Sequence, residues 1–179
     1  MTKSNLPAKL PECIVFDLDE TIWPLDVDCT WGPPYSYDKK HKVVVDKRGE
    51  HIPLFRDILK IFALIQTFPG VKIAIASRTM TPDWAAQVLK LYRIPELGNV
   101  DLYSLCSVFE MHDDRKTIHF RNIHKQTGIA YQDMLFFDDN RMNLCVQPLG
   151  VKVVLVDRRQ GLTMDIFLEA LDRFSKNAF

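Results

Sequence analysis

The sequence predicts an α/β fold in which helices cover both faces of a parallel β-sheet. Five short apolar runs recur along the 179 residues, and helix-like segments separate them. The runs are 13–16, 71–76, 105–109, 134–137 and 152–156. Four of the five are nearly continuously apolar, as expected for parallel strands buried on both faces. Strands that alternate with helices over one domain's length favour right-handed crossovers and a single sheet.

The helix-like segments each carry a recognisable signal. In 54–68, Phe55, Ile58 and Phe62 recur at helical spacing. Thr81 is a candidate N-cap before Pro82, which suits the first position of a helix. Glycines stop two of the later segments. The predicted helices are 54–68, 81–91, 116–127, 141–149 and 164–174.

One stretch departs from this alternation. Residues 26–52 are polar and aromatic, and they contain Gly32-Pro33-Pro34 and a Val43–Val45 run followed by Arg48-Gly49. We interpret this stretch as a loop with a small antiparallel hairpin, inserted between the first strand and the first helix. The whole chain, 1–179, is predicted to be one domain carrying this insertion.

Composition excludes several classes of function. Lys plus Arg and Asp plus Glu are 23 each, so the formal net charge is zero. A nucleic-acid binder or a polybasic membrane anchor would carry a basic excess. Residues 1–10 lack the apolar core of a secretory signal. The four cysteines form no C-x-x-C pair, which indicates a reduced compartment. We therefore expect a cytoplasmic monomer with no nucleic-acid or membrane partner.

Polar clusters follow three of the predicted strands. They are Asp17-Leu18-Asp19-Glu20-Thr21, Ser77-Arg78-Thr79 and Asp138-Asp139-Asn140. Ligands of open α/β sheets bind beyond the carboxyl ends of the strands, so all three clusters should meet at one edge. Each cluster taken alone could also be a set of helix N-caps or turn residues.

The acidic residues indicate a metal site. Asp17 and Asp19 are two apart in an extended segment, so their side chains point to the same side. Together with Asp138 and Asp139 they would repel one another unless a cation lay among them. Mg²⁺ suits oxygen ligands and needs only one or two carboxylates beside water or phosphate oxygens.

Magnesium beside an unshielded carboxylate favours phosphoryl transfer, in which an aspartate is a known nucleophile. Ser77 and nearby backbone N–H groups are placed to donate to a phosphoryl oxygen. A cationic side chain should balance the remaining charge. Arg115 and Lys116 both qualify, and their position alone does not separate them.

Several segments resemble one family. FDLDETIWP (16–24) contains the D-x-D-x-T signature of the haloacid dehalogenase (HAD) superfamily of phosphohydrolases, and Ser77, a lysine and Asp138-Asp139 follow in that superfamily's order. ASRT (76–79), KTIHF (116–120), TGI (127–129) and FFDDNRMN (136–143) resemble the eukaryotic magnesium-dependent phosphatases. The resemblance spans about 12–175. It implies a Rossmann-like, HAD-type three-layer sandwich with a five-stranded parallel sheet and no cap domain.

The resemblance also implies a role for each motif residue. Asp17 would be the nucleophile, and Asp19 the general acid and then the general base. Mg²⁺ would be bound by Asp17, the Asp19 backbone carbonyl and Asp139, with Asp138 acting through a bound water. The residues expected to hold the phosphate or the substrate are Leu18, Asp19, Ser77, Arg78 and Lys116, because the K-x-x-H-F pattern selects Lys116 over Arg115.

The substrate is less constrained than the reaction. Glu20 stands where the magnesium-dependent phosphatases usually have tyrosine, and D-L-D-E-T resembles the phosphoserine-specific carboxyl-terminal-domain phosphatases. With only the 26–52 insertion, the site should be open to a small phosphorylated metabolite or a phosphopeptide. Four aromatic residues would either contact this substrate or pack the insertion onto the body. They are Trp23, Trp31, Tyr35 and Tyr37.

Three further expectations complete the sequence-based interpretation. His112 and Asp113-Asp114-Arg115 are expected in a solvated loop. Arg158-Arg159 should face water or bind an anionic substrate tail. A phosphotransferase and a phosphorylated binding module remain as alternatives to a hydrolase, although a stable phospho-acceptor would have no use for a general base at Asp19.

Overall fold

The fold is built around a parallel sheet whose central strand precedes the first acidic motif. The computed structural model describes residues 7–179. Most of the 1–10 segment, which lacks the apolar core of a secretory signal, therefore lies outside the described residues. Five strands form this sheet: β1 (Cys13–Phe16), β5 (Lys72–Ser77), β8 (Val108–Met111), β9 (Met134–Asp138) and β10 (Lys152–Leu155). Their order is β10-β9-β1-β5-β8, and every neighbouring pair is parallel.

Helices lie on both faces, which confirms the predicted fold class. The α-helices are α1 (Ile58–Ile65), α2 (Pro82–Leu91), α3 (Lys116–Thr127) and α4 (Met164–Ser175), and Arg141–Leu149 is a 3₁₀ helix. Side chains of α1, α2 and α4 belong to one apolar cluster on the sheet, while α3 and the 3₁₀ helix contribute to a second. Side chains of β1 alternate between the two clusters, since successive residues of a strand point to opposite faces.

Two predicted boundaries were wrong for identifiable reasons. Strand β8 begins at Val108, because Tyr103–Leu105 forms a 3₁₀ turn that takes up the start of the predicted 105–109 run. Helix α1 covers only Ile58–Ile65 of the predicted 54–68, although Phe55 and Phe68 still pack on the core from its flanks. The spacing of apolar residues therefore identified the buried faces correctly but overestimated the lengths of this helix and this strand.

The insertion forms a small antiparallel sheet, which we call the flap. It contains β2 (Ser36–Asp38), β3 (Val43–Val45) and β4 (His51–Ile52), one strand more than the predicted hairpin. Val44 and Ile52 are fully buried and belong to the apolar cluster shared with α1 and α2. The flap is thereby attached to the body. A further two-stranded sheet, β6 (Arg93–Ile94) and β7 (Val100–Asp101), was not predicted.

Within the described part of the chain, no helix is long and apolar enough to cross a membrane. All four cysteines are free.

Candidate active site

The three polar motifs meet at one edge of the sheet. Asp17 follows β1 directly, Ser77 ends β5, and Asp138 ends β9. Since β1 lies between β9 and β5, the ends of these three strands are adjacent. They open into a cavity of about 450 Å³. Its lining includes Asp17, Asp19, Glu20, Asp26, Asp28, Cys29, Ser77, Arg78, Met80, Asp113, Lys116, Asp139, Asn140, Asn143 and Arg158.

Three carboxylates converge at the base of this cavity. Asp17, Asp138 and Asp139 each offer an oxygen, and the three oxygens lie within 4.8 Å of one another. Burial and the neighbouring Asp17 charge raise the pKa of Asp139. An all-oxygen set of this size fits a hard divalent cation such as Mg²⁺, which would also relieve the repulsion. The Asp19 side chain is not one of these three groups.

Lys116 is the buried cation of the site. Its Nζ lies 2.9 Å from Asp17 Oδ1 and 3.3 Å from Asp138 Oδ2, and it donates to the Ala76 carbonyl. The side chain is fully buried at the first position of α3, while Arg115 is exposed just before the helix. The structure therefore places Lys116, and not Arg115, against the acidic residues.

Hydrogen bonds from Asn140 and Asn143 hold the Asp138 carboxylate. Both of its oxygens accept from Asn143 Nδ2 at 2.9 Å, and Oδ1 also accepts from the Asn140 backbone N–H at 2.7 Å. The carboxylate is fully buried, and this burial raises its pKa. A buried carboxylate held in this way can fix the orientation of the groups around it at a metal site.

Asp19 has a different environment from Asp17. Its Oδ1 accepts from Trp23 Nε1 at 2.6 Å and from the Val27 backbone N–H at 3.0 Å. Burial raises the pKa of Asp19 to about 7, although these donors oppose the shift. A carboxyl group that titrates near neutrality can both give and take a proton, which is the requirement for a general acid and base.

Ser77 and Arg78 lie on the opposite wall from Asp139. Ser77 is buried, lines the cavity and accepts from the Thr79 backbone N–H at 3.3 Å. Arg78 is exposed and donates to Asp113 Oδ1 at 2.7 Å. Residues 112–115 form the predicted loop, with 113–115 exposed, but the pairing of Asp113 with Arg78 at the cavity was not predicted. The Leu18 side chain is fully buried in the core, so any phosphate contact it makes is through its backbone.

A comparison with known proteins gives the family. Residues 9–177 match the family model described as acid phosphatase. The chain belongs to the acid phosphatase family. It is 34% identical to a HAD-like hydrolase superfamily protein of Schizosaccharomyces pombe, over 90% of this chain and 94% of the relative. It is 33% identical to magnesium-dependent phosphatase 1 of Homo sapiens, over 94% of this chain and 90% of the relative.

Solved structures agree on the fold of this acid phosphatase family member. The phosphatase domain of a Bacteroides fragilis protein, crystallised with Mg, superposes with a TM-score of 0.62 and 22% identity, covering 92% of this chain and 41% of that one. A HAD-superfamily hydrolase of Ehrlichia chaffeensis superposes with a TM-score of 0.58 and 9% identity, covering 95% and 98%. At these identities the likeness concerns the fold, so the HAD-type architecture is confirmed.

In this acid phosphatase family member, the four aromatic residues that were candidates for substrate contact do not line the cavity. Trp23 and Tyr35 are buried in the core, while Trp31 and Tyr37 are exposed on the flap. Tyr35 packs edge-on against Trp84. Tyr37 likewise packs edge-on against Tyr92, so these two tyrosines attach the insertion to the body, whereas Trp31 stacks with Arg48 within the insertion. The alternative of direct substrate contact is not supported by their positions. Trp23 also donates a hydrogen bond to Asp19, which the sequence alone did not indicate.

Two further residues that line the cavity form an ion pair. Arg158 Nη2 donates to Glu20 Oε1 at 3.0 Å. Glu20 has a left-handed backbone with φ of 57°, in a turn where the Leu18 carbonyl accepts from the Ile22 N–H at 2.7 Å. Arg158 is exposed, in line with the expectation that it faces water, but its pairing with Glu20 of the first motif was not predicted, because the two residues are far apart in sequence.

Asp28 was also missed by sequence reasoning. It accepts from the hydroxyls of Thr79 and Thr81 and from the Met80 backbone N–H at 2.9 Å. These bonds lower the pKa of Asp28 against the opposing effect of burial. Asp28 therefore fixes the loop that follows Ser77 at the end of β5 and begins with Arg78.

Proposed function

We propose that this chain is a Mg²⁺-dependent phosphatase that hydrolyses phosphomonoesters through an aspartyl phosphate on Asp17. One observation carries the proposal: Asp17 lies 2.9 Å from the buried ammonium of Lys116 and beside two further carboxylates. This arrangement supplies a nucleophile, a fixed positive charge and oxygen ligands for a divalent cation in one cavity. The names of the similar phosphatases, which include a magnesium-dependent one, support the same conclusion.

The first half of the proposed reaction transfers the phosphoryl group to the protein. An Asp17 oxygen attacks phosphorus, the bond from phosphorus to the leaving oxygen breaks, and protonated Asp19 gives its proton to that oxygen. Lys116 and Ser77 hold the phosphoryl oxygens. The bound Mg²⁺ would supply electrostatic stabilisation for the negative charge of the transferring group. Asp17, Asp139 and the Asp19 backbone carbonyl would hold it, with Asp138 acting through water.

The second half releases phosphate. Asp19, now ionised, takes a proton from water as the water oxygen attacks phosphorus, and the bond between phosphorus and the Asp17 oxygen breaks. Asp17 returns as a carboxylate, and Asp19 is protonated for the next turnover. The elevated pKa of Asp19 supports this alternation, because both protonation states are accessible near neutral pH.

The proposed substrate is a small phosphorylated metabolite, such as a sugar phosphate or a glycated-amine phosphate, or a phosphotyrosine-type group. The flap covers much less than a cap domain would, so an open cavity of about 450 Å³ favours substrates that enter unhindered. Phosphoserine in proteins is the alternative substrate, because Glu20 completes the D-L-D-E-T pattern that resembles the phosphoserine-specific phosphatases. We expect a cytoplasmic monomer with neither nucleic-acid nor membrane partners.

The Asp17→Asn variant tests the reaction. It should lose hydrolysis of an aryl phosphate in excess Mg²⁺ while keeping the circular dichroism spectrum of the parent, because the amide is not a nucleophile. Asp133→Asn is the matched control: Asp133 pairs with Lys9 before β9 begins, at the other end of that strand from Asp138, and its loss should leave turnover unchanged. Activity retained in Asp17→Asn would contradict the proposal.

The binding-module alternative predicts a different result. A phosphorylated Asp17 that persisted for hours after treatment with a small phosphodonor would identify an acceptor and not a hydrolase. Rapid release of free phosphate into water, and no transfer to an added alcohol, is the result expected for the hydrolase and excludes a phosphotransferase.

A further inference from the structure

A second group of metal-ligand side chains lies on the flap. Asp38, His41 and His51 each offer one ligand atom, and the three atoms lie within 4.8 Å of one another. None of these residues lines the catalytic cavity. The group contains two imidazoles and one carboxylate, a different donor set from the three carboxylates at the base of the cavity.

The backbone of the flap brings these three residues together. Asp38 is the last residue of β2, His41 lies in the turn before β3, and His51 opens β4 beside Val45 of β3. Two antiparallel strand pairs therefore fix their spacing. The imidazole centroids of His41 and His51 are 5.5 Å apart, so both rings lie on the same side of the flap.

Local hydrogen bonds orient the carboxylate. Asp38 Oδ1 accepts from the backbone N–H groups of Lys40 at 2.8 Å and His41 at 3.2 Å. Asp38 Oδ2 is turned to His41 Nδ1, at 2.6 Å. Within residues 7–179 the His51 ring makes no hydrogen bond, so its nitrogens are available as ligands.

We propose that Asp38, His41 and His51 bind a divalent transition-metal ion of the Zn²⁺ type on the flap. Two histidines and one carboxylate, with a water in the fourth position, are a known tetrahedral zinc set. Imidazole nitrogen selects zinc, copper or nickel ions over Mg²⁺, which prefers oxygen ligands. The site would thus take a different ion from the catalytic cavity.

Binding requires only a small rearrangement. Ligand atoms in a tetrahedral zinc site are about 3.3 Å apart, given bond lengths of 2.0–2.1 Å. The contact between Asp38 and His41 would therefore open slightly while the more distant His51 moves inward. His41 and His51 are exposed, and side-chain rotations at the surface meet little packing resistance. The same turn carries three positive charges, on Lys39, Lys40 and Lys42, and these repel a bound cation. The ion must therefore be one that imidazole binds strongly.

An ion at this position would cross-link the outer edge of the flap. It would tie the turn between β2 and β3 to β4. His51 also lines a side cavity of about 240 Å³, which shares Asp26 and Cys29 with the catalytic cavity. The cross-link would therefore stiffen a wall that adjoins the site of the proposed reaction, without adding a ligand to that site.

Calorimetric titration with Zn²⁺ in excess Mg²⁺ tests the proposal, because Mg²⁺ keeps the three catalytic carboxylates occupied. The parent and Asp17→Asn should each bind one Zn²⁺ per chain. His41→Ala and His51→Ala should bind it at least about 100-fold more weakly, since even the loss of an outer partner costs 10–100-fold in metal affinity. Co²⁺ should give the visible absorption of a tetrahedral site in the parent and in Asp17→Asn, and in neither histidine variant.

Other outcomes would overturn the flap site. Absence of Zn²⁺ binding by the parent excludes it. So does binding that survives in both histidine variants, or binding that disappears in Asp17→Asn. His124→Ala, a histidine of α3 whose ring contacts the Ile129 carbonyl, is the matched control and should keep the ion. Mg²⁺-supported hydrolysis should be unchanged in His51→Ala, which separates failure of this proposal from failure of the proposed function.

Discussion

Asp19 depends on Trp23 for its orientation. The indole N–H donates to Asp19 Oδ1 at 2.6 Å from a fully buried ring. Trp23→Phe keeps most of the packing and removes this donor. Hydrogen bonds to charged groups contribute about 1.5–3 kcal/mol, so we expect kcat for an aryl phosphate to fall about 10- to 100-fold with little change in KM. Steady-state kinetics in excess Mg²⁺ measures this.

The control for this variant is Trp31→Phe. Trp31 is exposed on the flap, where Arg48 stacks on its ring, and it lies outside the catalytic cavity. Its kcat should match the parent's. Equal kcat values in all three proteins would mean that the bond from Trp23 does not position Asp19 during turnover.

Asn143 performs the equivalent task for Asp138. Asn143→Ala would leave a fully buried carboxylate without its amide donor, which costs about 1–3 kcal/mol of unfolding free energy. Because Asp138 lies within the proposed ligand set, the Mg²⁺ concentration that gives half-maximal activity should rise about 10- to 100-fold. Urea unfolding and Mg²⁺ titration of activity measure the two effects.

Gln147→Ala provides the comparison. Gln147 is exposed on the same 3₁₀ helix, so its truncation tests general damage to that element. It should alter neither quantity. An Asn143→Ala protein with the parent's Mg²⁺ dependence would show that Asp138 is held without its amide partner.

The acidic residues of the site could be predicted from sequence, and the residues that hold them could not. Asp17 and Asp138 sit at the ends of apolar runs, and the ends of parallel strands meet at one edge. Trp23 and Val27 reach Asp19, and Asn143 reaches Asp138, through turns whose conformation depends on tertiary packing. The left-handed backbone at Glu20 is one such turn, and no local pattern in the sequence indicated it.

At the level of elements, Glu110 joins β8 to α3. Its buried carboxylate accepts from Asn122 Nδ2 at 2.7 Å and Gln126 Nε2 at 2.6 Å, and contacts His112 Nε2 at 2.8 Å. Glu110→Ala would leave these donors without an acceptor. We expect the unfolding free energy to fall by about 2–4 kcal/mol, measured by urea denaturation.

Glu96→Ala tests whether loss of any acidic side chain has this effect. Glu96 is exposed in the turn between β6 and β7, and its removal should change stability by less than about 0.5 kcal/mol. A Glu110→Ala protein as stable as Glu96→Ala would exclude a structural role for this connection between strand and helix.

Element types were predictable to different degrees. Helix α3 was predicted with its observed bounds, because Lys116–Thr127 is followed by Gly128 in the left-handed conformation that ends a helix. Strand β8 was displaced because it lies at the edge of the sheet, where buried and half-buried residues alternate and the apolar run is weaker. The flap's third strand has only two residues, too few for any periodic signal.

For the whole molecule, zero net charge conceals an uneven distribution. Acidic side chains are concentrated at the edge of the sheet where β1, β5 and β9 end. Lys116, Arg78 and Arg158 each pair with an acidic residue there, so protein cations compensate part of this charge. Asp17, Asp138 and Asp139 form the group that suits a divalent ion, and formal charge alone would not have located it.

Stability of the whole molecule should also depend on pH through His119. The ring is fully buried, faces Lys116 and the edge of His112, lies near Glu110, and has Nε2 3.0 Å from the His112 carbonyl. Burial, aided by the Lys116 charge, lowers its pKa from 6.5 to about 4. Between pH 6.5 and 4 the His119 ring therefore binds a proton in the unfolded chain but stays neutral in the folded chain. The unfolding free energy should consequently fall as the pH decreases through this range.

In His119→Asn, urea denaturation should show a shallower fall of the unfolding free energy with decreasing pH than in the parent. His51→Asn, which alters an exposed ring, should retain the parent's slope. Parallel pH profiles for the parent and His119→Asn would assign the loss of stability to other groups.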